Sequence, residues 1–182
     1  MKFQELLKQH GRAVAKKPGD YVFRQGEDNR AIYAVRSGLL KAYYLSDDGR
    51  ENIKSFLLQG DTIGSLKGFV GEEGCSFNLV CLEPSELISI EFETLYNGSR
   101  TDLSVANEVV DFLLAFGIKK ETREYELLCL PAEERYRRLL KTTPSLFERV
   151  TQNDIARYLG ITPVGLSRIK KRVNQVKLEV GE

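Results

Sequence analysis

The chain has 182 residues, a hydrophobic fraction of 42% and a formal net charge of +1. This is room for one large domain or two small ones, with enough apolar content for a packed core, which sets disorder aside. With 27 Lys and Arg against 26 Asp and Glu, the chain is not basic throughout, so any affinity for nucleic acid must come from a local patch. The opening stretch MKFQELLKQHGRAVAKK has no signal-peptide core, and no apolar run approaches membrane-spanning length, so a cytoplasmic protein with no membrane partner is expected. Cys75, Cys81 and Cys129 lack metal-ligand spacing, and a sparse, odd count fits a reducing compartment. His10 is the only histidine, in a polar segment, and is read as solvated; no metal site and no cofactor are expected.

Residues 18 to 92 read as β. The runs AIYAVRSG, LLKAYYLS, NIKSFLL, FNLVCLE and ELISIEF are rich in β-branched and aromatic residues. Turn signals separate them at Pro18-Gly19-Asp20, Gln25 to Asn29, Asp47-Asp48-Gly49, Gln59-Gly60-Asp61 and Glu83-Pro84-Ser85. Short strands at such spacing predict an antiparallel barrel or roll. Ser99 and Asp102 then signal a helix start, and Arg100 to about Leu128 carries helical periodicity. Its apolar residues form two stripes. Leu103, Ala106, Val110, Leu113, Leu114 and Gly117 share one face, and Val105, Val109, Phe112 and Phe116 another. A surface helix needs one stripe, so two predict two partners: the β domain and a second copy of the helix. The alternative is a helix buried inside one subunit. Leu130-Pro131 breaks the chain, Pro131 starts a helix AEERYRRLLK, and TTPSLFERV is read as a turn and a brief strand.

Thr151 to Val173 reads as a helix-turn-helix. Thr151 caps a first helix, with Asp154 completing a capping box, and Gly160 provides the left-handed turn residue. Thr162 caps a second helix whose first turn holds Pro163. Leu166, Ile169 and Val173 face inward, leaving Val164, Ser167, Arg168, Lys171 and Gln175 outward, the side a DNA groove would meet. From Arg157 to Lys177 the basic residues are Arg157, Arg168, Lys170, Lys171, Arg172 and Lys177, with no acid among them. That is a local phosphate-binding patch.

A β domain, a long central helix and a C-terminal helix-turn-helix, in that order, resemble the Crp/Fnr family of bacterial transcription regulators over nearly the whole chain. The marks are PGDYVFRQGE, YAVRSGLLKAYYLSDDGRE, LLQGDTIG and the helix-turn-helix. The resemblance implies an α+β protein: an N-terminal antiparallel β-roll of jelly-roll type (residues 1–98), a dimerisation helix (99–130) and a DNA-binding domain (131–182). It also implies a homodimer on double-stranded DNA, a small-molecule effector, and RNA polymerase as a candidate further partner. The dimer seam is expected at Leu103, Ala106, Val110, Leu113 and Gly117. DNA contacts are expected from Thr162, Pro163, Val164, Ser167, Arg168, Lys170, Lys171 and Arg172.

The departures from the family pattern carry their own expectations. Cyclic-nucleotide-binding members have a Gly-Glu pair after the GDxxG turn and an Arg-Ser or Arg-Thr pair about ten residues on. The glutamate holds the ribose and the arginine holds the phosphate. The corresponding positions here are Gly64-Ser65, followed by Leu66, and Cys75-Ser76. The loop between adds Glu72 and Glu73 against Lys67 alone. A buried phosphate would lose its bidentate cation, so a cyclic nucleotide is not expected and the effector is unidentified. An iron–sulfur regulator needs four cysteine ligands, and a haem sensor needs an axial ligand that the roll lacks. Cys75 could be a redox thiol but reads as a small packed residue, having no basic neighbour in sequence. Of the family's usual Arg-Glu and later Arg in the reading helix, positions 163, 164 and 168 hold Pro163, Val164 and Arg168, so only the last matches. Strands beyond this helix are expected to be short or missing. A degenerate ligand-binding or protein-interaction module is the competing class. An enzyme lacks support, with no phosphate-binding glycine loop, nucleophile elbow or metal cluster.

Overall fold

The structure, a computed structural model, describes residues 10–71 and 73–180, with side chains as far as residue 175. Glu72 and the Lys177 side chain lie outside the described residues. The chain forms two compact units, residues 1–118 and 119–182, dividing within the long central helix.

The first unit is a β-roll. Its strands are β1 (Arg12–Lys16), β2 (Tyr21–Phe23), β3 (Ala31–Ser37), β4 (Leu40–Leu45), β5 (Glu51–Leu57), β6 (Thr62–Ile63), β7 (Asn78–Cys81) and β8 (Ser85–Glu91). They form two antiparallel sheets in the orders β1-β8-β3-β6 and β2-β7-β4-β5. Alternation sends Tyr33, Val35 and Leu87 from one sheet, and Leu40, Ala42, Leu79 and Cys81 from the other, into one core between them. Phe23 and Phe77 meet edge-to-face there, ring centroids 5.2 Å apart. Each predicted turn signal falls between strands, except that Ser85 of the last already begins β8. The β region begins earlier than residue 18, because β1 pairs with β8 from Arg12↔Ser89 to Lys16↔Ser85.

Two helices lie where strands or no element were expected. Leu66–Val70 forms α1, capped by Ser65, whose Oγ accepts from the Gly68 N–H at 3.3 Å. Phe92–Ser99 forms α2. No side chain caps α2; the Phe92 ring instead stacks on Phe69 at 4.4 Å, and Leu95 is buried. Tertiary packing, which leaves no cap motif in the sequence, makes this helix. Ser99 accordingly ends α2, and Asp102 alone starts the central helix, its Oδ1 accepting from the Ser104 N–H at 2.7 Å.

The central helix, α3 (Leu103–Cys129), has the predicted two faces. Val105 and Val109 are buried with Phe112 against Ile32 and Ile90, on the outer side of the first sheet. The other stripe is open apart from the half-buried Ala106: Leu103 is 77% exposed, Val110 53% and Leu114 59%, and Leu113 and Gly117 are also exposed. This departs from a helix buried all round within one subunit.

The second unit adds α4 (Ala132–Thr142), α5 (Leu146–Arg149), α6 (Gln152–Tyr158) and α7 (Pro163–Val180). The brief strand expected in TTPSLFERV is instead the single turn α5. It is built by Leu146, Phe147 and Glu148 N–H groups donating three residues back, and anchored by the buried Leu146. Among the described residues no helix is long and apolar enough to cross a membrane.

Candidate nucleic-acid interface

The helix-turn-helix forms as its sequence directs. Thr151 Oγ1 accepts from the Asp154 N–H at 3.1 Å, and the Thr151 hydroxyl donates to Asp154 Oδ2 at 3.0 Å. The first helix, Gln152–Tyr158 with Leu159 as its C-cap, is closed by Gly160, φ 66°. The Gly160 N–H donates to the Arg157 carbonyl and the Ile161 N–H to the Ala156 carbonyl, at 3.2 and 3.0 Å. This paired closure needs a left-handed residue, which glycine adopts without steric cost. Thr162 Oγ1 then accepts from the Gly165 N–H at 3.1 Å, and Pro163 occupies the first position of α7, where no amide is needed.

Burial fixes the orientation of α7. Leu166, Ile169 and Val173 are buried together with Ile155, Ala156 and Leu159 of the first helix. Val164, Ser167, Arg168, Lys171 and Gln175 are exposed. Spacings of three and four place them along one outer stripe. Among the described residues, Arg168 and Lys171 make no hydrogen bond or ion pair. Their neighbours are tied down: Lys170 Nζ donates to Gln152 Oε1 at 2.9 Å, and Arg172 Nε to Glu133 Oε2 at 2.9 Å. Arg137 also donates to Glu133, at 3.0 Å, and these two guanidiniums hold the Glu133 carboxyl below its ordinary pKa. Thr162 and Pro163 are exposed at the start of the stripe.

The positions expected to line an effector pocket come together in the first unit, but as a self-satisfied corner. Ser65 is fully buried and its Oγ, besides capping α1, accepts from the Ser76 N–H at 3.0 Å. The Ser65 and Ser76 hydroxyls lie 3.4 Å apart. Gly64 lies beneath the Phe69 ring, where a Cβ would sit 2.4 Å from Phe69 Cζ. Cys75 is buried, its Sγ donating to the Asn29 carbonyl at 3.4 Å, and burial pushes the thiol above its ordinary pKa. Leu66 is exposed on α1. Lys67, the one cation of this loop, is paired with Glu73. None of these groups offers a guanidinium or a free donor pair to a phosphate. Among the described residues no cluster of His, Cys, Asp and Glu could hold a metal ion.

Two arginines that sequence reasoning did not single out organise the second unit. Arg123 lies 3.8 Å over the Tyr158 ring and donates to the Tyr158 carbonyl. Arg135 donates to the Leu159 and Leu130 carbonyls. Backbone acceptors leave no mark in a sequence. One available hint was that Arg137 and Arg138 have glutamates four residues before them, whereas Arg135 has Pro131.

Residues 14–102 match the cyclic nucleotide-binding domain family. Over 178 residues the chain is 30% identical to the fumarate and nitrate reduction regulatory protein of Vibrio cholerae, covering 90% of this chain and 70% of that protein. It is 29% identical to the transcriptional activator protein Anr of Pseudomonas protegens, covering 98% of this chain and 75% of the relative. The fold is similar to FixK2 from Bradyrhizobium japonicum, with a TM-score of 0.77, 19% identity and coverage of 91% and 85% of the two chains. It is also similar to the c-di-GMP responsive global regulator CLP from Xanthomonas campestris, with a TM-score of 0.69, 22% identity and coverage of 96% and 91%. A roll of two antiparallel sheets, a long helix open along one side and a capped helix-turn-helix, together with these likenesses, place the chain in the Crp/Fnr family of transcription regulators.

Proposed function

We propose that two copies of the chain bind an inverted-repeat DNA site, with α7 of each copy in the major groove. The carrying observation is the exposed stripe of α7, with Arg168 and Lys171 unengaged among the described residues, on a helix whose caps and inner face fix its direction. Arg168, in the middle of the stripe, reads a guanine edge; Val164 meets a thymine methyl; Thr162, Pro163 and Ser167 line the approach. Lys170, Lys171 and Arg172 contact phosphates, Arg172 by exchanging its bond to Glu133 for the DNA. The two-fold partner docks on the open stripe of α3, at Leu103, Ala106, Val110, Leu113 and Gly117. Residues 1–98 act as the effector domain, 99–130 as the dimerisation helix and 131–182 as the reader.

The effector is a small molecule other than a cyclic nucleotide, because Ser65 and Cys75 stand where the family resemblance expects the ribose and phosphate contacts and have their own hydrogen bonds already made. The setting is the cytoplasm, and RNA polymerase is the partner through which binding would act on transcription. Selection from a random DNA pool with purified protein tests the reading. The expected product is an inverted repeat whose half-sites are about 34 Å apart, one helical turn. Enrichment of no sequence, with or without cell extract, would favour a ligand-binding or protein-interaction module instead.

A further inference from the structure

Arg135 is half-buried in the first turns of α4 and lies off the exposed stripe of α7. The other arginines of α4 face carboxylates one turn away, Arg137 with Glu133 at 3.0 Å and Arg138 with Glu134 at 3.1 Å. Arg135 turns to backbone. Its Nε and Nη2 both donate to the Leu159 carbonyl, at 3.2 and 2.8 Å, at the C-cap of α6. Its Nη1 donates to the Leu130 carbonyl at 2.6 Å, just past the end of α3, with longer contacts to the Leu127 and Glu126 carbonyls at 3.4 and 3.5 Å. Helix C-termini present carbonyls without intrahelical donors and carry partial negative charge. One flat cation with five donors satisfies two such ends together. Arg123 makes a companion contact at the preceding carbonyl, that of Tyr158. The Gly160 turn, which sets the angle between α6 and α7, is therefore held at its root by α3 and α4.

We propose that Arg135 is a positioning residue for DNA reading: by holding the carbonyl ends of α3 and α6 on one guanidinium, it sets the direction in which α7 leaves the last turns of the central helix. The inference rests on the reading of α7 as the groove helix of a two-fold dimer. Losing Arg135 then loosens the spacing between the two reader helices. It leaves intact the side chains that meet bases and phosphates.

The test uses the full chain and inverted repeats that differ only in the number of base pairs between half-sites, with binding followed by fluorescence anisotropy. The unmutated chain is expected to prefer one spacing. Arg135→Ala should bind that spacing on the order of tenfold more weakly. It should no longer discriminate against neighbouring spacings, with half-site base preference and salt slope unchanged. Arg135→Lys, which offers an ammonium to a site built for a fork, should fall between. Retained spacing preference in Arg135→Ala overturns the inference. So does a salt slope reduced by about one, the sign of a lost phosphate contact. If Arg135→Ala loses its helical circular dichroism, Arg135→Lys and Arg123→Lys carry the test, and unchanged spacing preference in both overturns it. An unmutated chain without spacing preference overturns the two-fold reading, and this inference with it.

Discussion

Arg168 and Lys171 are three residues apart on one exposed stripe, yet they should fail differently. Arg168→Ala is expected to cost roughly 1–3 kcal/mol per half-site and relax preference at one base pair in each, measured by competition with single-base variants of the site. Lys171→Ala should weaken binding to all sequences alike and lower the salt slope. The reverse pattern would mean that α7 lies in the groove rotated about its axis, with Lys171 rather than Arg168 toward the bases. At the roll, calorimetry should detect no binding of cyclic AMP or cyclic GMP at physiological concentration, since the only cation of the loop is already paired with Glu73. Micromolar binding of either would sink this. Residues whose role is set by side-chain direction on a regular helix were legible in the sequence, because periodicity states the direction. Ser65 was legible only in part: its place in the pocket could be read, but its bonds to the Gly68 and Ser76 amides depend on a helix with no period of its own.

The helix-turn-helix was the most legible element, since each of its signals acts within a few residues: a cap, a turn glycine, a second cap and a proline. Thr151→Ala removes the acceptor of the Asp154 amide and should destabilise the helical unit by about 1 kcal/mol, read from its thermal or urea transition. In α3 the two stripes were legible and their fates were not, because periodicity marks a face as apolar without naming what covers it. Leu113 lies on the open stripe, so Leu113→Asp should give a folded monomer by light scattering and abolish tight operator binding. A monomeric unmutated chain at micromolar concentration would refute the seam. The elements that escaped the sequence, α1, α2 and α5, are five, eight and four residues long. Segments so short owe their helicity to contacts such as the Phe69–Phe92 stack and buried Leu146, made with residues distant in sequence or not visible as a pattern.

For the whole molecule, order along the chain was enough to recognise the architecture: many short strands, one long helix, then capped short helices. Its division into two compact units inside α3 was not legible, since Gly117, a weak helix former beside Ile118, leaves the helix unbroken there. The uncovered stripe of α3 carries a thermodynamic consequence. If a second copy covers it, folding and association share free energy, and the melting temperature should rise with protein concentration by mass action. Calorimetric scans over a hundredfold dilution would show the shift, and Leu113→Asp should abolish it. Promoter occupancy would then grow with the square of chain number wherever the dimer is the minor species, so a modest change in the abundance of this regulator would act as a signal in its own right.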